Sequence, residues 1–304
     1  MGAAPILIIG ETGQLGRELV RLGGDDVRGC GPILDLANAD SVSRVLARHS
    51  FGAIINAAAY TAVDRAEGEP IDAWAANALG PAILASHAAK RDVPLLHVST
   101  DYVFSGDQGD CYRETDPVRP LGVYGASKEG GEQAVRAGAP RHAIVRTAWL
   151  ASAHGNNFVT TMLRLAETRD TVRVVGDQHG SPTSATDLAN ALLAMARRMM
   201  AEPETPSGTW HFVNSGEASW DAYARHIFAE SRLRGGPFAD VVSIPTSEYP
   251  TPARRPANSR LATALTMETW GLQTRPWQVA IAEIVATLVT PSPVQSAPNR
   301  ETIS

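Results

Sequence analysis

Four consecutive apolar residues, Ile6-Leu7-Ile8-Ile9, run directly into Gly10-Glu11-Thr12-Gly13-Gln14-Leu15-Gly16. A continuous apolar run of that length reads as a strand buried on both faces. The residues from Gly13 to Leu22 read as the helix that follows it. Glycines between a strand and a helix allow a tight turn and a close backbone approach to a pyrophosphate, whose charge the helix N-terminus meets. The competing reading is a tight structural turn. The strand-loop-helix context at the start of a βα-repeating chain favours the dinucleotide.

The rest of the first half keeps that rhythm. Ala53–Ala57, Pro94–Ser99 and Ala143–Thr147 read as buried strands. Ile71–Lys90 reads as one long Ala-rich helix, and a further helix starts near Tyr124 and runs to Ala137. Alternating strands and helices imply parallel pairing with right-handed crossovers, so the expected fold is α/β, a Rossmann-type doubly wound parallel sheet. The rhythm changes after Trp149. Phe158–Ala166 and Ala185–Met200 read as helices, Val172–Val175 and Gly208–Val213 as strands, and Pro-rich turns separate the later helices. The expected organisation is a dinucleotide-binding domain over 1–148, with 184–214 returning to it. A smaller C-terminal substrate-binding lobe takes 149–183 and 215–290, and 291–304 form a disordered tail.

Charge and cysteine content narrow the partners. A net charge of -5 over 304 residues disfavours nucleic acid, which calls for a basic surface. No stretch approaches the roughly 20 apolar residues of a membrane helix, and Ile6–Ile9 lacks the basic flank of a signal peptide. Cys30 and Cys111 make neither a disulfide framework nor a zinc site, and two free thiols fit a cytoplasmic protein.

The chemistry is concentrated in Leu121–Glu129, LGVYGASKE. Tyr124 and Lys128 stand four apart, on one face of a helix. A free Tyr has a pKa of about 10, and a nearby cation favours the phenolate; Lys128 is expected to lower it. Lys128 can also reach the ribose hydroxyls of a nicotinamide cofactor. Ser99-Thr100 ends a predicted parallel strand, at the sheet edge where ligands bind in such folds. Thr100, Tyr124 and Lys128 together make a carbonyl-reduction set, with Tyr124 as general acid. The bland alternative, a chance Tyr and Lys on a solvated helix, loses weight beside the glycine loop. The second strand, Val27-Arg28-Gly29-Cys30-Gly31, holds an Arg and no carboxylate, which tilts the cofactor toward NADPH, with NADH as the alternative. Asp35, in Leu34-Asp35-Leu36, is better placed for the adenine edge.

Several segments resemble the extended short-chain dehydrogenase/reductases and, within them, the dTDP-4-dehydrorhamnose reductase family. They are GETGQLG (10–16), NAAAYTAVDRAE (56–67), NALGP (77–81), STDYVF (99–104), YGASK (124–128), RTAW (146–149), NFVTTMLRL (157–165) and GDQHGSPT (176–183). The likeness thins past residue 200 to Arg254–Ser259. The resemblance implies reduction of the C4 ketone of a dTDP-4-keto-6-deoxy sugar by NADPH or NADH, giving dTDP-L-rhamnose. It implies Thr100, Tyr124 and Lys128 as the catalytic set. Gly10, Gly13, Gln14, Leu15, Gly16, Asp35, Leu36, Ala57, Ala58, Ala59 and Ser99 would line the cofactor site together with Tyr124 and Lys128, and Asn77 would support it. Val63, Asp64, Thr100 and Trp149 would face the sugar, and Arg254 and Arg255 the substrate's pyrophosphate. Exposed loop arginines are the plainer reading of that last pair.

Some family members hold Mg²⁺ through a carboxylate on the first helix and another after the DQxGxPT segment. Glu18 fits the first, but Thr186 stands at the second, so no metal is expected. Ala262 replaces the family's usual acid after Arg254–Leu261. His97 reads as a packed core histidine rather than a proton relay. His154 and His179 flank the pocket as candidate ligand contacts or solvated loop residues. Trp210, Trp270 and Trp277 read as core. Two other functions stay open: a nucleotide-sugar epimerase, and a non-catalytic NADP-binding regulatory subunit like that of methionine adenosyltransferase. Asp101-Tyr102 lacks the second carboxylate of the related dehydratases. A homodimer is left open.

Overall fold

The computed structural model describes residues 4–31 and 35–289; the tail expected over 291–304 lies outside them. Six parallel strands form the central sheet, in the order β10-β5-β4-β3-β1-β2. They are β1 (Ile6–Ile9), β2 (Val27–Gly29), β3 (Ala53–Asn56), β4 (Leu95–Thr100), β5 (His142–Thr147) and β10 (Gly208–His211). The chain steps outward from β1 to β2, then crosses to the other side of β1 for β3 and continues away. That reversal leaves a crevice beyond the C-terminal ends of β1 and β3, the place where doubly wound sheets bind ligands.

The apolar runs explain the layers. In β1, Ile6 and Ile8 pack on one face with α1 (Gln14–Gly23) and α8 (Ala185–Ala201). Leu7 and Ile9 pack on the other with α2 (Ala39–Arg48), α5 (Gly80–Lys90) and Val135 of α6 (Val123–Gly138). A strand covered on both sides has no polar face to show, hence no alternation.

The predicted helix over 71–90 is interrupted. It consists of α4 (Pro70–Trp74), a π turn (Ala75–Leu79) and α5. The π turn places Asn77, 1% exposed, against α6 and the loop after β3. Such π-bulges are frequent at functional sites.

The second lobe has its own core. Val159 and Leu163 of α7 (Phe158–Ala166) meet Val172 and Val174 of β7 (Thr171–Val175), Tyr223 and Ile227 of α9 (Trp220–Leu233), and Ile281 and Val285 of α11 (Trp277–Leu288). β7 pairs in parallel with β12 (Asp240–Ile244). A small sheet orders β11 (Ala218–Ser219), β8 (His179–Gly180) and β13 (Asn258–Ser259). Within the stretch expected for this lobe, α10 (Ala264–Trp270) instead packs on β10, and Trp270 lies edge-on to Trp210 in the first core. Trp277 is buried in the second.

Candidate functional site

A cavity of about 900 Å³ opens over the C-terminal ends of β1, β3 and β4. Gly10 begins its floor. Its φ of 87° is open to glycine, and a Cβ there would lie 2.7 Å from the Ala58 nitrogen. A Cβ on Gly16 would lie 2.0 Å from the Gly10 carbonyl oxygen, so this glycine sets how closely α1 approaches the loop and does not itself line the cavity. Gly13 differs, because a Cβ there would meet only the Gly10 oxygen, at 3.5 Å. Its backbone is open at the helix N-terminus, as a pyrophosphate requires. The residues present therefore fit a dinucleotide.

Leu15, Ala57, Ala58, Ala59 and Val63 line the cavity as well. Gln14 lines it and also reaches across it: Oε1 accepts from Ser152 Oγ at 3.0 Å and Asn157 Nδ2 at 2.9 Å. Asn77 sits behind the wall. It accepts the Tyr60 N–H at 2.8 Å and donates to Ser127 Oγ at 3.0 Å, joining the loop after β3 to α6. Asp35 is exposed and accepts the Ala37 N–H, while Leu36 is buried against Gly80; the structure brings neither into the cavity.

Ser99 and Thr100 end β4 on the opposite wall, facing Tyr124 and Lys128 in the first turns of α6. Thr100 Oγ1 donates to Asp101 Oδ1 at 2.9 Å and accepts the Tyr102 N–H at 3.2 Å. The Thr100 hydroxyl also stands against the Tyr124 oxygen, and the hydrogen bond between the two favours the phenolate. Asp101 is buried, which pushes its carboxyl up to about 6 against the hydrogen bonds from Ser259 and Thr100. Lys128, 3% exposed, donates through Nζ to the Val98 carbonyl at 2.7 Å. Burial pushes the Lys128 ammonium down to about 8, with Glu132 opposing.

The expected lowering of the Tyr124 pKa by Lys128 is not what the structure shows. Burial pushes the phenol up to about 12, opposed only by the bond with Thr100. Burial disfavours the phenolate and the Asp101 charge adds to the rise, while Lys128, whose ammonium is bonded to the Val98 carbonyl, does not offset them. The consequence suits an acid, since Tyr124 carries its proton throughout the neutral range.

Trp149 lines the cavity on the side of the second lobe with φ 47°, a strained value for a bulky residue. Its ring stacks on Trp220 at 3.5 Å. Sequence reasoning missed Trp220, whose partner is distant along the chain. It also missed Tyr102, Arg17 and Asn156, all of which line the cavity. His154 lines the cavity and pairs with Glu18 at 3.2 Å, while His179 is exposed in β8 outside it. Asp64 and Arg255 do not stand free. Arg255 grips the Asp64 carboxylate at 2.8 and 3.0 Å, which ties the short helix Val63–Ala66 beyond β3 to the chain leading into β13. Arg254 is exposed and lines no part of the cavity.

His97 is buried, with Nδ1 paired to Asn56 at 3.0 Å, and burial holds it well below the usual histidine range. It is a neutral core residue. The Glu18 carboxylate is taken by Arg21, Thr186 and His154. Burial works to raise its pKa, yet these partners keep it low. A cationic Arg and a hydroxyl donor at that carboxylate do not suit a divalent metal.

A doubly wound sheet, a glycine cradle at its switch point and a Thr-Tyr-Lys cluster at the adjoining strand end define a nicotinamide-dependent reductase of the extended short-chain type. Residues 4–290 match the RmlD substrate binding domain. A dTDP-4-dehydrorhamnose reductase of Sinorhizobium fredii is 42% identical over 93% of this chain and 97% of its own length. The solved dTDP-4-dehydrorhamnose reductase of Clostridium acetobutylicum superposes with a TM-score of 0.85 at 39% identity, covering 93% of this chain and 99% of its own. That of Bacillus anthracis, in complex with NADP, superposes at 0.84 with 33% identity, covering 94% and 100%. The chain belongs to the dTDP-4-dehydrorhamnose reductase family.

Proposed function

We propose that this protein reduces the C4 ketone of a dTDP-4-keto-6-deoxy sugar, dTDP-4-dehydrorhamnose, to dTDP-L-rhamnose. The observation that carries the chemistry is the convergence of Thr100, Tyr124 and Lys128 on the cavity that the glycine cradle floors. A reduced nicotinamide bound on the Gly10–Gly16 loop supplies the hydride. NADPH is the cofactor carried over from the Bacillus anthracis relative, and NADH is the alternative.

Tyr124 donates the proton to the ketone oxygen as that oxygen gains negative charge. Thr100, anchored beside Asp101, keeps its hydroxyl against the Tyr124 oxygen. Lys128, close under the same helix turn, is the cation for the cofactor's ribose hydroxyls and steadies the developing charge. Trp149 and Val63 bound the sugar. The intact Thr100, Tyr124 and Lys128 set supports catalysis over a regulatory binding role. Two free cysteines, and no helix among the described residues long and apolar enough to cross a membrane, support a cytoplasmic setting.

The test is loss of nicotinamide absorbance when purified protein meets NADPH and the dTDP-4-keto-6-deoxy sugar, with NADH in parallel. Stoichiometric consumption is expected. Turnover of the sugar with the dinucleotide retained and unconsumed would indicate an epimerase and refute the proposal.

A further inference from the structure

The second strand ends without an acid of its own, in Val27-Arg28-Gly29. In Rossmann-type sites an acidic side chain near this strand end takes the adenosine ribose hydroxyls of NAD, and a basic one accommodates the 2′-phosphate of NADP. Here the structure supplies a carboxylate from another segment. A Cβ placed on Gly29 would lie 1.3 Å from Glu11 Oε2 and 2.4 Å from Glu11 Cδ. The Glu11 carboxylate therefore occupies the space that a side chain on residue 29 would enter.

Glu11 directly follows Gly10, the first glycine of the cradle. Its carboxylate thus lies over the end of β2, next to the cradle's first glycine and at the rim of the cavity rather than in its lining. It is close enough to Cys30 to assist burial, the larger cause, in holding that thiol protonated.

Two cations stand on the same side. Arg28 is exposed and donates through Nη1 to the Val27 carbonyl of its own strand at 3.0 Å. Arg17 lines the cavity and donates through Nε to the Thr12 carbonyl at 3.0 Å. Both arginines spend hydrogen bonds on backbone carbonyls, of Thr12 and Val27. The carboxylate is the group that a ribose at the β2 end would meet.

We propose that Glu11, seated over Gly29, is the residue that sets cofactor preference in this chain. Its carboxylate accepts from the 2′- and 3′-hydroxyls of the NADH adenosine ribose and opposes the 2′-phosphate of NADPH, so NADH is an effective reductant here. The inference rests on the nicotinamide-dependent reading above.

The experiment titrates the sugar-free protein separately with NADH and NADPH, following nicotinamide fluorescence to obtain both Kd values. Wild type is compared with Glu11→Gln, Glu11→Lys and Arg28→Ala, and melting curves confirm that each is folded. Glu11→Gln should tighten NADPH by about tenfold, the scale of one removed like charge at close range, and weaken NADH. Glu11→Lys should move the ratio further the same way. An unchanged NADH to NADPH ratio in both Glu11 variants would overturn the proposal. So would a ratio that moves only in Arg28→Ala, which would pass the role to Arg28. If wild type bound neither dinucleotide, the nicotinamide reading itself would fall, a result distinct from an unchanged ratio.

Discussion

Tyr124 is held as an acid by its surroundings. Burial raises its pKa to about 12, the Asp101 charge adds to the rise, and the Thr100 hydroxyl opposes it. Replacing it with Phe removes the transferable proton and little volume. We expect Tyr124→Phe to lower kcat by about 10²–10⁴-fold, the usual scale of a general acid, with the dinucleotide Kd unchanged in a fluorescence titration. Near-normal turnover would remove Tyr124 from its role. Lys128 governs pH dependence instead. Its ammonium is lowered to about 8, so the charged form prevails below that pH and is lost as pH rises through it. Tyr124 stays protonated well above. The kcat/KM for reduction, which reports the free enzyme, should therefore decline above pH about 8, with no second alkaline limb before the phenol titrates. A flat profile through pH 9 to 10 would show that the Lys128 charge contributes nothing.

At the level of elements, α6 is positioned by close approaches that leave no room for side chains. A Cβ on Gly131 would lie 2.1 Å from the Asn77 carbonyl oxygen in the π turn. Ala in place of Gly favours a helix by about 1 kcal/mol, but forcing backbone apart costs about 1–3 kcal/mol. The obstacle is main chain and cannot swing aside, so the clash outweighs the propensity. Gly131→Ala should cost a net up to ~2 kcal/mol of stability, read as a lower urea midpoint, and disturb Lys128, one turn away. An unchanged or raised midpoint would mean that the π turn yields freely. The π turn was not legible in the sequence. One extra residue per turn leaves an Ala-rich apolar pattern looking helical, and only the tertiary partners of Asn77 select it. The parallel strands were legible, because a strand covered on both faces must be an unbroken apolar run, as in Ile6–Ile9 and Ala53–Asn56. Thr100, Tyr124 and Lys128 were legible too, since strand ends and helix spacing carry them. The stack of Trp149 on Trp220 and the seat of Glu11 over Gly29 were not, because each joins segments that no local spacing relates.

Across the whole molecule, the two lobes share an apolar cluster in which Leu261 meets Val103, Phe104 and Tyr112, and polar contacts join them at the two ends of the cavity. At the cofactor end, Gln14 accepts from Ser152 and Asn157. At the other end, the Arg255 fork closes on Asp64. The Arg255 hydrogen bond is the largest influence on Asp64 and keeps its carboxyl below the usual range, so the pair stays ionised at neutral pH. Both side chains remain in contact with water, at 24% and 40% exposure, so the pair contributes at most about 1 kcal/mol to folding. Its effect should lie in placement. Asp64 adjoins Val63, which lines the cavity, and Arg255 enters β13 through the chain that leads to Ser259 beside Asp101. Asp64→Asn keeps the shape of the side chain and removes the charge that grips the fork. We expect little change in melting temperature and an unchanged dinucleotide Kd. The KM for the nucleotide sugar should rise several-fold, about 1 kcal/mol of lost binding, while kcat falls less. A drop in kcat at unchanged KM would show that the Asp64–Arg255 bridge serves the chemical step and not the fit of the sugar between the lobes.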